Sequence, residues 1–247
     1  MIAIMLADLE YLLVQVRNPD DPMAPHEVNC FASHLHCDPS RIRTWDLLGG
    51  SPTRDDLRHC DIVLFGGSGD YSVVKGGDWF PPAMDAMRLL VEHDKPTFAS
   101  CWGCQAMARA LGGIVRTDHD SAEVGTHRLR LTDAGESDPV FAPLGTAFLA
   151  QMGHEDLVDT LPDDAVLLAS SDRTEVQAWT LPGRRIYCTQ FHPELNLNQL
   201  LDRLQHYPKY IKRITGLDYD TFVEQMCTDS RETDGLLARF ASQAMGI

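Results

Sequence analysis

The stretch KPTFASCWGCQAMARALGG (residues 95–113) places two cysteines three apart, Cys101 and Cys104. That spacing serves a thiol nucleophile, a dithiol redox pair or half of a zinc site. A nucleophile raised on a sharp strand-to-helix turn needs small residues two before and two after it, because the backbones approach closely there. For Cys101 those residues are Ala99 and Gly103; for Cys104 they are Trp102 and Ala106, and an indole would have to fit where only a small group does. The turn therefore selects Cys101. A structural zinc site wants four organised nitrogen or sulfur ligands, commonly from two paired motifs, and the chain has no second CxxC. The cluster HEVNCFASHLHC holds His26, Cys30, His34, His36 and Cys37, but its spacing fits no familiar zinc module. It reads as an irregular surface segment, and no metal is expected. Cys-Trp-Gly-Cys at a strand-to-helix junction does suit a redox dithiol. Against that, the chain is more than twice the size of a thioredoxin domain, and a dithiol leaves the next motif unexplained.

That motif is YCTQFHPEL, residues 187–195. His192 and Glu194 lie two apart at the end of an apolar run, a spacing that turns both side chains to one face of a strand. Pro193 cannot donate to a ladder and marks where the strand stops. A histidine with a carboxylate on its own face has its tautomer and orientation held, as a general base requires. Cys101, His192 and Glu194 thus supply a nucleophile, a base and an orienter. His154, in MGHED, is a second histidine of interest, but its neighbours in sequence offer no partner.

The elements that must position these groups alternate. Strands are expected at 2–6, 41–47, 61–67 and 96–100, with helical segments near 53–60, over 81–93 and from 104 to 111, closed by Gly112-Gly113. Pro sits at the start of the 81–93 helix, where it is tolerated. This βαβ series predicts a mostly parallel sheet flanked by helices. Shorter strands at 126–132, 165–171, 176–181 and 185–191 look meander-like, and the last 50 or so residues look helical. No repeat, low-complexity tract or linker interrupts residues 1–247, so one domain is expected, with a core over 1–195 and a helical extension over 196–247.

Composition bounds the partners. Of 247 residues, 44% are hydrophobic and 23% charged, with a formal net charge of −15. Nucleic acid and anionic membranes need a basic footprint that such a chain lacks. No apolar run approaches the ~18 residues of a membrane span, and the N-terminal stretch has no basic n-region or cleavage site of a secretory signal. Seven scattered cysteines suit a reducing compartment rather than a disulfide framework, which points to the cytoplasm.

Taken together, SCWGCQ followed by ALGG, LFGGSGD upstream and QFHPE downstream resemble the class I glutamine amidotransferases, in the family's order and spacing over roughly 1–195. The segment between the Cys and His motifs, including GHEDLVDTLP, resembles free-standing members such as the glutaminase of GMP synthase. The resemblance implies a flavodoxin-like fold, no cofactor, and Cys101, His192 and Glu194 as the triad. It implies that Gly66 and Gly67 form the oxyanion loop, with the Gly67 and Trp102 N–H groups as donors, and that Gly66 and Gln105 help hold substrate. Departures are Ala99-Ser100 for Gly-Ile or Gly-Val, Ser68 for proline and Cys188 for glycine. The implied reaction is hydrolysis of the side-chain amide of glutamine or a γ-glutamyl compound through a thioester. The partners it implies are that small-molecule amide and, in one version, a separate synthase subunit that receives the ammonia. The helix start after Cys101 and the imidazole are expected to lower the thiol from ~8.5 to ~6.5.

Overall fold

A computed structural model describes residues 5–247. The strand expected at 2–6 falls mostly outside them, and Leu6 itself opens a 3-10 turn, Leu6–Asp8. The first strand is β1, Tyr11–Val16, with all six residues buried. A run apolar on both faces is what a central parallel strand demands.

The chain then alternates through α1 (Met23–Leu35), β2 (Ile42–Asp46), α2 (Arg54–Arg58), β3 (Ile62–Ser68), α3 (Phe80–Glu92), β4 (Thr97–Ser100) and α4 (Trp102–Ala110). There follow β5 (Ile114–Thr117), β6 (Glu123–Leu131), α5 (Asp133–Ser137), β7 (Ala147–His154), β8 (Asp156–Thr160), β9 (Val166–Ser170), β10 (Ala178–Thr180) and β11 (Ile186–Thr189). Four helices complete it: α6 (Leu197–His206), α7 (Pro208–Thr215), α8 (Tyr219–Met226) and α9 (Leu236–Met245).

Nine strands form one sheet in the order β2-β1-β3-β4-β11-β10-β9-β6-β7, while β5 and β8 pair separately. From β2 to β11 the neighbours are parallel; from β11 to β7 they are antiparallel. The parallel half is flavodoxin-like, and in such sheets ligands bind beyond the carboxyl ends of the strands, near the point where the strand order reverses. Here that point lies between β1 and β3.

Alternate residues of the central strands feed opposite faces. Leu12, Val14, Val63 and Phe65 pack under α3 and α4 with Met87 and Met107. Leu13, Leu64 and Phe98 pack on the other face under α1 and α9, with Phe31, Leu237 and Phe240. A third cluster joins Leu200 and Leu204 of α6, Ile211 of α7 and Phe222 of α8 to Val124 and Leu195. These helices are therefore built onto the sheet rather than appended to it.

The segment 26–37 corrects the sequence reading. It is mostly helix, within α1, and Glu27, Cys30, Phe31, His34 and Leu35 are buried along it. Their i, i+3, i+4, i+7 and i+8 spacing is one helical face. Among the described residues no cluster of His, Cys, Asp and Glu is arranged to hold a metal ion. Likewise, no helix among them is long and apolar enough to cross a membrane.

Candidate active site

Cys101 closes β4 and opens α4 at φ 49° and ψ −105°. Positive φ costs a non-glycine residue energy, and such strain persists only where the surroundings over-determine it. Three contacts do so here. The Cys101 N–H donates to the Thr189 carbonyl at the end of β11 (2.7 Å), and its own carbonyl accepts from the Gln105 N–H (3.1 Å). Below it, Gly103 lies so close to Phe65 that a Cβ there would overlap that side chain and stand 3.2 Å from the Ala99 Cβ. The small residues demanded by the turn are thus demanded by β3 and β4 beneath it.

The two thiols of the motif face different surroundings. Cys101 Sγ donates to the Gly153 carbonyl at 3.7 Å and lines a cleft of about 930 Å³. Cys104 is fully buried, and its sulfur accepts the Trp179 indole N–H at 3.2 Å. One thiol addresses the cleft and the other fills the core.

His192 and Glu194 stand beyond the end of β11 at Thr189 rather than on the strand. They meet through a turn in which the Leu195 N–H donates to the His192 carbonyl at 3.2 Å. The His192 N–H is anchored to the Gln151 carbonyl of β7 at 2.9 Å. Within that turn His192 Nδ1 lies 2.6 Å from Glu194 Oε1. Immediately after it, a reciprocal cap between Asn196 and Gln199 starts α6. Such a capping box satisfies two helix-start donors at once.

Gly67 also lines the cleft, and a Cβ on it would come within 3.1 Å of the His192 ring. Trp102 lines the cleft at the first position of α4. Gln105 reaches it too, its Nε2 donating to the Asp156 carbonyl (2.6 Å) and to Gln190 Oε1 (3.2 Å). Gly66 faces away: a Cβ there would collide with the carboxylate of Glu27.

Behind the histidine lies a charge network that no motif revealed. Arg203 of α6 places Nη1 3.3 Å from His192 Nδ1 and 3.6 Å from Glu194 Oε1. Its Nη2 is 4.0 Å from Glu27 Oε1, and Glu27 takes a two-pronged contact from Arg17 at 3.0 and 3.2 Å. All four charged residues are buried. Their formal charges cancel, which is what makes such burial tolerable. Only the 11-residue offset from His192 and the amphipathic pattern of α6 hint at Arg203 in the sequence.

Electrostatics correct the expected thiol. Burial, with the Glu194 charge added, pushes Cys101 up to about 12, against the pull of Arg203 and the Trp102 N–H. The helix start is thus outweighed by desolvation, which disfavours the charged form. Burial pushes the Glu194 carboxyl up as well, but His192 and Arg203 outweigh it and hold that group at about 2.

His154, the second histidine, also lines the cleft. Its Nε2 lies 3.0 Å from Glu123 Oε2, and that carboxylate further accepts from Ser171 and Gln177. The partner comes from β6, 31 residues away, which no local motif shows.

The fold and the matching motif define a class, and comparison with known proteins agrees. Residues 51–204 match the family model described as glutamine amidotransferase class-I. The chain belongs to that family. It is 33% identical over 141 residues to one subunit of the GMP synthase [glutamine-hydrolyzing] of Sulfolobus acidocaldarius, covering 57% of this chain and 71% of that one. Gamma-glutamyl peptidase 3 of Arabidopsis thaliana is 28% identical over 172 residues, covering 65% and 68%. The solved structure of a glutamine amidotransferase from Thermotoga maritima superposes with a TM-score of 0.73 at 18% identity, covering 96% of this chain and 99% of that one. The matches to two full-length GMP synthases span only 24% and 29% of those proteins.

Proposed function

We propose that this chain hydrolyses the side-chain amide of glutamine or of a small γ-glutamyl compound, with Cys101 as nucleophile. The observation that carries the proposal is the strained Cys101 turn opening on the same cleft as His192, whose Nδ1 lies 2.6 Å from the buried Glu194 carboxylate. Cys101 Sγ attacks the amide carbon while the thiol proton passes to His192. The oxyanion is received by the N–H groups of Gly67 and Trp102, and Gln105 helps hold the substrate. The C–N bond then breaks as His192 returns the proton to the departing nitrogen, leaving a thioester. Water, deprotonated by His192, adds to the thioester, and the thiol leaves with that proton. Glu194 holds the imidazole and stabilises its charged form without itself transferring a proton.

Burial and the Glu194 charge push the Cys101 thiol up, so a free thiolate is disfavoured at pH 7. Attack is therefore coupled to proton transfer rather than preceded by it. The test is release of ammonia or amine by the isolated chain from glutamine and a panel of γ-glutamyl peptides, with Cys101→Ala as control. Turnover of any member that Cys101→Ala abolishes supports the reading; equal turnover by the variant removes Cys101 from the reaction.

One observation favours a second reading. The chain matches 71% of a protein named as a GMP synthase subunit, and a resting thiol this high suits a site completed by a partner. In that reading the ammonia passes to a separate synthase subunit. Negligible turnover of the whole panel, with Cys101 still open to alkylation, points there.

A further inference from the structure

We propose that Tyr210, on α7, is a substrate-contacting residue that sets specificity: its hydroxyl donates a hydrogen bond to a carboxylate of the ligand seated against Cys101. The inference rests on the reading of the cleft as the amide site and extends it to the acidic end of the ligand.

One wall of the cleft is formed by Tyr207, Pro208, Lys209, Tyr210 and Arg213. Five of the chain's six tyrosines have their hydroxyl in a hydrogen bond: Tyr11, Tyr71, Tyr187, Tyr207 and Tyr219. Tyr210 is the sixth, and among the described residues its hydroxyl has no partner. Its ring is held in place, with the Arg213 guanidinium 5.2 Å from the ring centre. Arg213 is in turn gripped by both oxygens of Glu155, at 2.5 and 2.6 Å. Burial raises the Tyr210 phenol well above its ordinary value, and the Glu155 charge acts in the same direction. It is a neutral donor on a wall of the cleft that Cys101 also lines.

The chemistry of its ligand follows from which cleft groups are already satisfied. The acceptors are taken: Glu155 by Arg213, Asp156 by Ser72 and Thr117, each at 2.5 Å, and Asp70 by Asn18 at 3.3 Å. Arg17 is committed to Glu27, and Arg203 faces Glu194 through Nη1, while its Nε and Nη2 have no hydrogen-bond partner among the described residues. Left over on this wall are two donors, the Tyr210 hydroxyl and the exposed Lys209 ammonium, which has no carboxylate partner among the described residues. A hydroxyl beside an ammonium recognises an anion, and the cleft volume of about 930 Å³ accommodates a small amino-acid amide with its free carboxylate.

The test uses the full chain and a readout that needs no turnover: labelling of Cys101 by a glutamine-like chloroketone that retains its α-carboxylate, beside iodoacetamide, which has none. In Tyr210→Phe, which keeps the ring and its packing, half-maximal chloroketone labelling should need roughly tenfold more reagent, the size expected for one hydrogen bond to a charged group. Iodoacetamide should react at an unchanged rate, and Lys209→Ala should shift chloroketone labelling in the same direction. An unchanged chloroketone dependence in Tyr210→Phe, or equal changes with both reagents, overturns the contact. Absence of saturable chloroketone labelling in the unaltered chain overturns both the contact and the amide site. Labelling that behaves as expected without any amide release leaves the contact standing and removes only the proposed reaction.

Discussion

A thiol at about 12 has a direct consequence for reactivity. Alkylation of Cys101 by iodoacetamide should keep rising beyond pH 9 in the free chain; a plateau below pH 8 would show a thiolate already formed. Cys104→Ser should keep most of the activity, since Cys104 fills the core, and its cost should appear as a lower denaturation midpoint. His192→Ala should lose activity by orders of magnitude, whereas Glu194→Gln should leave a partial rate, both read as kcat/KM. Glu194 also leaves a signature in stability. Its carboxyl sits at about 2 rather than at the ordinary 4.5, so its stabilisation is complete above 4.5 and is lost as pH falls towards 2. The stability gap between the unaltered chain and Glu194→Gln, from urea midpoints, should therefore close over that window. That Cys101 and His192 would face one cleft, with Glu194 beside the imidazole, was legible in the sequence because such chemistry imposes local rules of spacing and size. Arg203, Glu27 and Tyr210 were not, because their positions depend on how separate helices approach the sheet.

At the scale of elements, two glycines carry the local argument. Gly103→Val should force α4 away from Phe65 and Ala99 and destabilise the fold by ~1–3 kcal/mol, the usual range for overpacking, measurable by chemical denaturation. Gly67→Ala should leave stability nearly unchanged yet lower kcat, because its Cβ would press on the His192 ring from 3.1 Å. A fully active Gly67→Ala would show that the ring has slack. The parallel strands β2, β3, β4 and β11 and the helices α2, α3 and α4 were legible because Gly and Pro punctuate them clearly, but β1 was missed: a strand was expected at 2–6, and the buried run Tyr11–Val16 was left unassigned. The β5–β8 pair and β7 were not expected: β5 has one buried residue in four, and β7, although its burial nearly alternates, opens with the unbroken apolar run 147–150. α1 was misread because its histidines and cysteines suggested ligands, although its apolar positions already repeat at helical spacing.

The whole molecule depends on its C-terminal helices as much as on its strands. Phe240 of α9 packs edge-on against Phe98 of β4 at 5.3 Å and against Tyr187 of β11 at 5.6 Å. These are the two strands that lead to Cys101 and to the His192 turn. Phe240→Ala should cost ~3–5 kcal/mol and lower the thermal midpoint, with the loss of activity following unfolding rather than preceding it. Helical character in this region was visible in the sequence; its burial beneath the site was not, since no local pattern states which face of a sheet a distant helix will cover.

The four buried charges behind His192 carry a further consequence, for how the molecule opens. Arg17 follows β1, Glu27 is on α1, Glu194 follows β11 and Arg203 is on α6, so four separate segments each hold one charge of a neutral set. If any one segment loosens alone, it leaves the others with an uncompensated charge in the interior, which costs several kcal/mol. Partial opening is thereby penalised, and the four segments are coupled into a single unit of exchange. Their backbone amides should share one opening free energy in native-state hydrogen exchange, and Arg203→Met should split that shared value into separate ones.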